Sequence, residues 1–165
     1  LAERLKDYME EFGSKGTLTL SVNPFIPKPF TPFQWEPMAD RKVVEKRLKR
    51  LEKTLSRRKH VVVNIESPKE AYIQGVLSRG DRRVGEALVL AHELGGSKSF
   101  KRAMKEMRLD PAFYLYRKRP ESEIFPWERL DMGFKKSYLY EELKRAAELK
   151  PTIPCFEGCH RCGVC

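Results

Sequence analysis

Five prolines fall within sixteen residues of this chain, in the segment NPFIPKPFTPFQWEPM at positions 23–38. Proline fixes φ at about −65° and has no backbone N–H, so this segment is excluded from helix interiors and from central strands. Four large aromatic residues stand between the prolines: Phe25, Phe30, Phe33 and Trp35. The composition therefore predicts an ordered extended loop held by its aromatic rings. A polyproline docking site and a plain linker are the alternatives.

Regular structure is predicted on both sides of this loop. Upstream, residues 1–13 have helical apolar spacing, which Gly13 or Gly16 ends, and TLTLSV alternates like a strand. Downstream, Asp40 caps a helix over residues 41–59. The strand HVVVNIES follows, and its continuous valines suit a parallel strand covered on both faces. The apolar residues expected to face the core are Leu18, Leu20, Val22, Val44, Leu48, Leu51 and Leu55.

Only helices are predicted after this second strand. Ser67 and Glu70 form a capping box around Pro68, and Asp81 caps the next helix after a break at Gly80. Gly95-Gly96 interrupts the chain again, and short helices are expected near residues 100–107, after 111, and over 136–149. The fold class is therefore α/β, with a mostly helical extension and a cysteine-rich tail. The expected divisions are residues 1–66, 67–150 and 151–165.

Composition limits the chain to about one domain and to a few classes of partner. It has 165 residues and a net charge of +10, which permits a polyanion partner such as RNA. The charge taken alone is explained more simply by the solvated charged faces of a heat-adapted protein. There is no apolar run of about 18 residues, so no membrane span is expected. The sequence opens inside a helical pattern, which predicts that the chain is a portion of a longer protein.

All four cysteines lie in the last eleven residues, CFEGCHRCGVC, with the spacing C-x3-C-x2-C-x2-C. Clustered thiols at short spacing indicate a metal site in the reducing cytoplasm, and Gly158 and Gly163 let the chain curl around it. Four soft ligands suit an iron–sulfur cluster or zinc, and unoccupied thiols remain a third possibility. The expected ligands are Cys155, Cys159, Cys162 and Cys165.

The helix predicted over residues 41–59 is strongly basic and supports a different function. Its lysines and arginines could contact the phosphates of RNA, while the tail forms a structural zinc knuckle. In this alternative the chain is an RNA-binding module. The residues expected to contact RNA are Lys46, Arg50, Lys53, Arg57 and Arg58.

Three stretches resemble radical S-adenosylmethionine (radical SAM) enzymes. They are LTLSVNPFIPKPFTPFQWEPM, SPKEAYIQGVLSRGDRRVGEALVLAHELGG and the terminal GCHRCGVC. The likeness is to a subfamily often fused to a cobalamin-binding-like domain. Cys155, Cys159 and Cys162 also fit C-x3-C-x2-C, which in that family holds the catalytic cluster far upstream. The fourth cysteine and the terminal position favour an auxiliary cluster here, with a structural or electron-relay role.

The resemblance implies a partial parallel (β/α)6 barrel, of which this chain holds the C-terminal portion. It also implies an Fe–S oxidoreductase in which a 4Fe–4S cluster reduces S-adenosylmethionine. The upstream barrel strands would be the partner of this portion, and RNA or a ribosomal protein a possible substrate. By position, Val22, Asn23 and Pro24 would hold the cofactor's adenosyl end. A turn cap before proline is the alternative role for Asn23.

Overall fold

The computed structural model describes residues 1–164 as a mixed α/β chain, mostly helical, with a small parallel sheet of two strands. The elements are α1 (Ala2–Glu11), β1 (Leu18–Val22), α2 (Arg41–Leu55), β2 (Val61–Ile65), α3 (Pro68–Arg79), α4 (Arg82–Glu93), α5 (Phe100–Glu106), α6 (Pro111–Leu115) and α7 (Lys136–Ala147). Short 3₁₀ turns occupy Pro32–Trp35, Ser97–Ser99 and Pro126–Arg129. Two strands cannot close a barrel, so the described residues show one β-α-β unit and no barrel.

The chain divides into two compact units that interleave along the sequence. The first comprises residues 1–25 and 39–73, and the second comprises residues 26–38 together with the chain from Gln74 onward. The proline–aromatic loop is thus mostly part of the second unit. In the described part of the chain, no helix is both long and apolar enough to cross a membrane.

The sheet of the first unit pairs β1 with β2 in parallel, from Leu18 opposite Val61 to Val22 opposite Ile65. Alternate residues of both strands are half-buried, and the residues between them are exposed. The prediction that β2 is covered on both faces is wrong, because Val62 keeps 46% of its surface exposed. The face that carries Leu18, Leu20 and Val22 is the covered one, as their alternation predicts.

Helix α2 begins as predicted, because Asp40 accepts a hydrogen bond from the N–H of Lys42 at 2.9 Å. It ends at Leu55 rather than at residue 59. The chain then turns through His60, whose φ of +56° lies in the left-handed region. Of the predicted apolar stripe, Leu48 is buried while Leu51 is 41% exposed.

Helix α1 does not bury the apolar residues that predict it. Leu5, Tyr8 and Phe12 are all exposed, whereas Lys6 is buried at 2% exposure. Its end is as predicted, because Gly13 has a φ of +66°. The periodicity therefore identified the helix, but the described residues leave its apolar face uncovered.

The second unit is built around aromatic residues from distant parts of the chain. Trp35 is fully buried and meets Phe125 edge to face at a centroid distance of 5.6 Å. Phe125 stacks on Trp127 at 4.7 Å, and Leu139 and Leu143 of α7 complete the cluster. The prediction that aromatic rings hold the proline-rich loop is thus confirmed for Trp35. Phe33, by contrast, is exposed.

Candidate metal centre

The cysteine tail lies against the segment just before α7. The N–H of Lys135 donates to the carbonyl of Cys162 at 2.7 Å, and the Lys135 ammonium donates to the carbonyl of His160 at 2.9 Å. A side chain at Gly163 would come within 2.9 Å of Lys135 and 3.1 Å of the Gly133 carbonyl, so only glycine fits this approach. These contacts fix the last turn of the tail at the start of α7.

The glycines of the tail have the backbone that a tight turn requires. Gly158 has a φ of +74° and Gly163 a φ of +91°, both in the region that disfavours residues with a Cβ. Between them, the N–H of Cys159 donates to the carbonyl of Phe156 at 3.1 Å. Both glycines therefore make the turns expected of them, while the curling of the tail around a metal stays a prediction.

Cys159 has the surroundings of a thiolate. The N–H groups of the Arg161 backbone and side chain both hydrogen-bond its sulfur, and they lower the pKa of the thiol to about 7. The Arg161 Nε lies 3.3 Å from Sγ. The same guanidinium donates to the carbonyls of Ile153 at 2.7 Å and Pro154 at 3.0 Å. Arg161 therefore both orients the turn and favours the metal-binding form of Cys159.

The other described cysteines, Cys155 and Cys162, lie near the side chain of Tyr138. Cys155 is exposed and Cys162 half-buried, and both are free thiols, as is Cys159. The pKa of Tyr138 is raised, first by burial, then by Glu142, with smaller contributions from Cys162 and Cys155. Both sulfurs are therefore within electrostatic range of the Tyr138 hydroxyl, on the first turn of α7.

The tail fits a soft metal in its donor chemistry. Thiols, a thiolate-favouring arginine and two glycine turns are together within ten residues of the chain. Within residues 1–164, however, no three Cys, His, Asp or Glu side chains converge on one point. Cys165, the fourth expected ligand, lies outside the described residues, so the complete set of four is not tested.

The residues expected to contact S-adenosylmethionine follow β1 in the first unit. Val22 is half-buried, and its carbonyl accepts a hydrogen bond from the N–H of Glu66 at 3.2 Å. Asn23 is exposed and Pro24 is buried. Asn23 thus stands at the carboxyl end of a parallel strand with its side chain accessible, which is where ligands bind in such sheets.

The residues expected to contact RNA are largely free on the surface of the first unit. Lys46, Arg50, Lys53 and Arg57 are exposed. Arg58 is different, because it is half-buried and pairs with Asp7 and Glu10 of α1. Arg58 therefore ties the end of α2 to α1, a role that sequence spacing did not indicate.

Sequence reasoning also missed the role of two arginines in the second unit. Arg79 is 1% exposed and donates to the carbonyls of Tyr114 at 2.9 Å and Pro27 at 3.3 Å. Arg119 is 3% exposed and donates to the carbonyl of Arg79 at 3.3 Å. Burial, then the nearby Arg119 and Arg117, lower the pKa of Arg79 to about 10. The LSRGDRR block thus contains a structural clamp, which only the tertiary structure reveals.

Comparison with protein-family models, with curated proteins and with solved structures finds no match to this chain. The functional interpretation accordingly depends on the residues and contacts described above and on the resemblance of the three stretches. Of these, the thiolate environment of Cys159 is the most specific chemical observation.

Proposed function

We propose that this chain is the C-terminal portion of a radical SAM iron–sulfur oxidoreductase and that its tail holds an auxiliary 4Fe–4S cluster. The observation that carries the proposal is the position of Cys159, a buried thiol whose pKa is lowered to about 7 by two N–H groups of Arg161. Metal ligation requires the thiolate, and N–H groups that point at cluster sulfur ligands tune such centres. When bound, the cluster supplies electron transfer.

The proposal assigns separate tasks to the residues of the tail. Cys155, Cys159, Cys162 and Cys165 would hold the cluster. Arg161 favours the thiolate form of Cys159 and holds the turn through two carbonyls. Lys135 holds the far side of the tail through the carbonyls of His160 and Cys162. The free thiols suit a reducing compartment, so we place the protein in the cytoplasm.

The first unit supports the assignment to a larger parallel sheet. Parallel strands normally have neighbours on the sheet and helices on both faces. In residues 1–164, β1 and β2 pair only with each other, and Val62 is exposed on the open face. Upstream strands of a barrel would complete this sheet. The adenosyl end of S-adenosylmethionine would then lie against Val22, Asn23 and Pro24, and the radical chemistry would need the upstream portion.

The decisive experiment measures which metal the tail binds. We expect the chain, purified without oxygen and reconstituted with iron and sulfide, to be brown and to contain about four irons and four acid-labile sulfides. The double variant Cys159→Ser/Cys162→Ser should lose this metal, because two of four thiolates are gone. His160→Gln, a change inside the tail that removes no thiol, is the matched control and should keep it.

Each result bears on a different part of the proposal. Full metal content in the double variant would show that the ligands are elsewhere. Loss of metal in His160→Gln would contradict the four-cysteine ligand set. A colourless chain that binds one zinc instead would favour the zinc knuckle, and circular dichroism of each variant checks that the helices persist.

A second function is favoured by the outward surface of α2. Lys42, Lys46, Lys49, Arg50 and Lys53 are exposed and, at 100° per residue, lie on the side opposite Val44, Leu48 and Leu55. The acidic residues of α2, Glu45 and Glu52, fall on its flank. A purely solvated helix usually intersperses opposite charges, so this unbroken basic face indicates a polyanion such as RNA.

A further inference from the structure

A pocket of about 250 Å³ opens in the second unit, beside the point where the cysteine tail docks. Its walls come from the proline–aromatic loop, from the turn at Pro126–Arg129 with the residues after it, and from the start of α7. Apolar side chains form most of the wall: Phe30, Trp127, Met132, Phe134 and Leu139. The rest of the wall is polar, from Gln34, Glu128, Asp131 and Lys136, and small-molecule sites combine apolar surface with such polar groups.

The polar group that matters most in this pocket is the carboxamide of Gln34. Gln34 is 3% exposed, and its Oε1 accepts hydrogen bonds from the N–H of Phe30 at 3.1 Å and from the indole N–H of Trp127 at 2.8 Å. Two donors on one oxygen fix the orientation of the amide. Its Nε2 therefore presents two N–H donors at the pocket, and in residues 1–164 no acceptor meets them. Nε2 is not one of the fully buried polar atoms without a partner, so solvent meets it, and an acceptor on a ligand would replace that solvent.

The charged groups of the pocket are already engaged. Lys136 forms an ion pair with Glu128 at 2.5 Å, and Asp131 accepts a hydrogen bond from the N–H of Gly133 at 2.8 Å. One cation and two carboxylates line the pocket, so an anionic ligand is disfavoured. The free chemistry consists of aromatic and aliphatic surface plus the Gln34 donors, which suits a neutral ligand.

We propose that this pocket binds a neutral aromatic or heteroaromatic molecule whose carbonyl oxygen or ring nitrogen accepts a hydrogen bond from Gln34 Nε2. The ring packs among Phe30, Trp127 and Phe134, and the acceptor meets the carboxamide. If the tail holds a cluster as proposed above, this ligand is a candidate substrate, because Phe134 is flanked by Gly133 and Lys135, which both contact the tail. The binding itself does not depend on the cluster.

The test uses benzamide as the probe and the indole N–H signals of the protein as the readout. The chain has two tryptophans, so a ¹⁵N spectrum shows two indole signals. We expect benzamide to shift the signal of Trp127 saturably, with a Kd of about 1 mM for so small a molecule. The signal of Trp35, whose residue is fully buried in the neighbouring core, should move little. Benzoate, with the same ring and a charge, should bind less tightly.

Gln34→Glu is the decisive variant, because the new side chain keeps an oxygen for Phe30 and Trp127 but loses the Nε2 donors. We expect benzamide to bind about tenfold more weakly to it. Gln74→Glu, the same change at the exposed Gln74, which bonds Lys28 at 2.7 Å, is the matched control and should bind like the parent chain. Met132→Trp, a bulkier side chain at the partly exposed rim, should block the pocket even if Gln34→Glu fails to fold.

Three results would overturn the proposal. They are the absence of a saturable shift at Trp127, equal binding to Gln34→Glu and the parent chain, and tighter binding of benzoate than of benzamide. Binding should survive in Cys159→Ser/Cys162→Ser. If the parent chain takes up no metal on reconstitution but binds benzamide, the cluster is contradicted and the pocket is not. If the metal-loaded parent chain does not bind benzamide, the pocket is contradicted and the cluster is not.

Discussion

At the scale of single residues, Gly80 shows how tightly the junction of α3 and α4 is packed. It follows the last residue of α3 and precedes Asp81, which caps α4 by accepting from the N–H of Arg83 at 3.0 Å. A Cβ added at Gly80 would lie 2.6 Å from a methyl group of Val84 and 2.8 Å from the carbonyl of Val76. The glycine is therefore required by space, since its φ is not in the left-handed region.

The substitution Gly80→Ala should destabilise the second unit by about 1–3 kcal/mol, because Val84 and the backbone at Val76 must shift to admit the methyl group. Gly85→Ala is the matched control within α4. A Cβ there meets no atom within 4 Å, and alanine favours helix, so we expect about 0.5–1 kcal/mol of added stability. Urea unfolding followed by circular dichroism measures both. Equal effects of the two substitutions would contradict the packing argument.

At the scale of elements, the basic residues of α2 and of the turn after it divide into those that form ion pairs and those that do not. Arg58 just beyond its end pairs with α1, and Arg41 pairs with Glu45 at 2.7 Å, so these two arginines serve the fold. The face that contains Lys46, Arg50 and Lys53 makes no ion pair among the described residues. These three residues lie along one side of the helix over about 10 Å, at 1.5 Å per residue.

The triple variant Lys46→Glu/Arg50→Glu/Lys53→Glu should weaken binding to a 20-nucleotide oligouridylate at least about tenfold at low salt. It should also lower the slope of log K against log salt by about 2, because each phosphate contact to a single strand contributes about 0.7. Fluorescence anisotropy at several salt concentrations measures both quantities. Lys98→Glu/Lys101→Glu/Lys105→Glu changes the net charge equally on other exposed lysines and should have a smaller effect. If both triple variants lose binding equally, the face has no special role.

Most element boundaries could be predicted because they depend on local chemistry. The caps Asp40 and Asp81 and the turn after Asp110, where Pro111 starts α6, are each fixed by a few neighbouring atoms. Burial could not be predicted in the same way. Whether Val62 or Leu51 is covered depends on segments distant in sequence, so hydrophobic pattern alone gave the wrong exposure for both.

In the candidate site, too, local features could be predicted from the sequence and contacts between distant residues could not. Cysteine spacing and the two glycines predicted a curled tail, since both act within eleven residues. The docking of the tail on Lys135 joins residues 27 positions apart in the chain, and the Gln34 pocket joins Phe30 to Leu139. No local sequence pattern predicts contacts between residues so far apart in the chain. The contact between Arg161 and Cys159 is the exception that spacing could have found, because the two residues are only two positions apart.

At the scale of the whole molecule, the two units differ in how much apolar surface each covers. The second unit has fully buried aromatic and aliphatic residues, including Trp35, Phe100, Met104 and Leu115. The first unit has a two-stranded sheet with one face exposed, and an isolated two-stranded sheet is only marginally stable. The two units should therefore open with different free energies.

Hydrogen exchange measured by mass spectrometry tests this difference on the chain of residues 1–165. We expect the amides of β1 and β2 to exchange at least about tenfold faster than those of α4 and α5, because few apolar contacts oppose opening of the sheet. In the longer protein that the proposal requires, neighbouring strands would cover the sheet edges, and exchange at β1 and β2 should slow to the rate of the second unit. Equally slow exchange of both units in the 165-residue chain would show that the sheet needs no further strands, which would remove the structural support for a barrel partner.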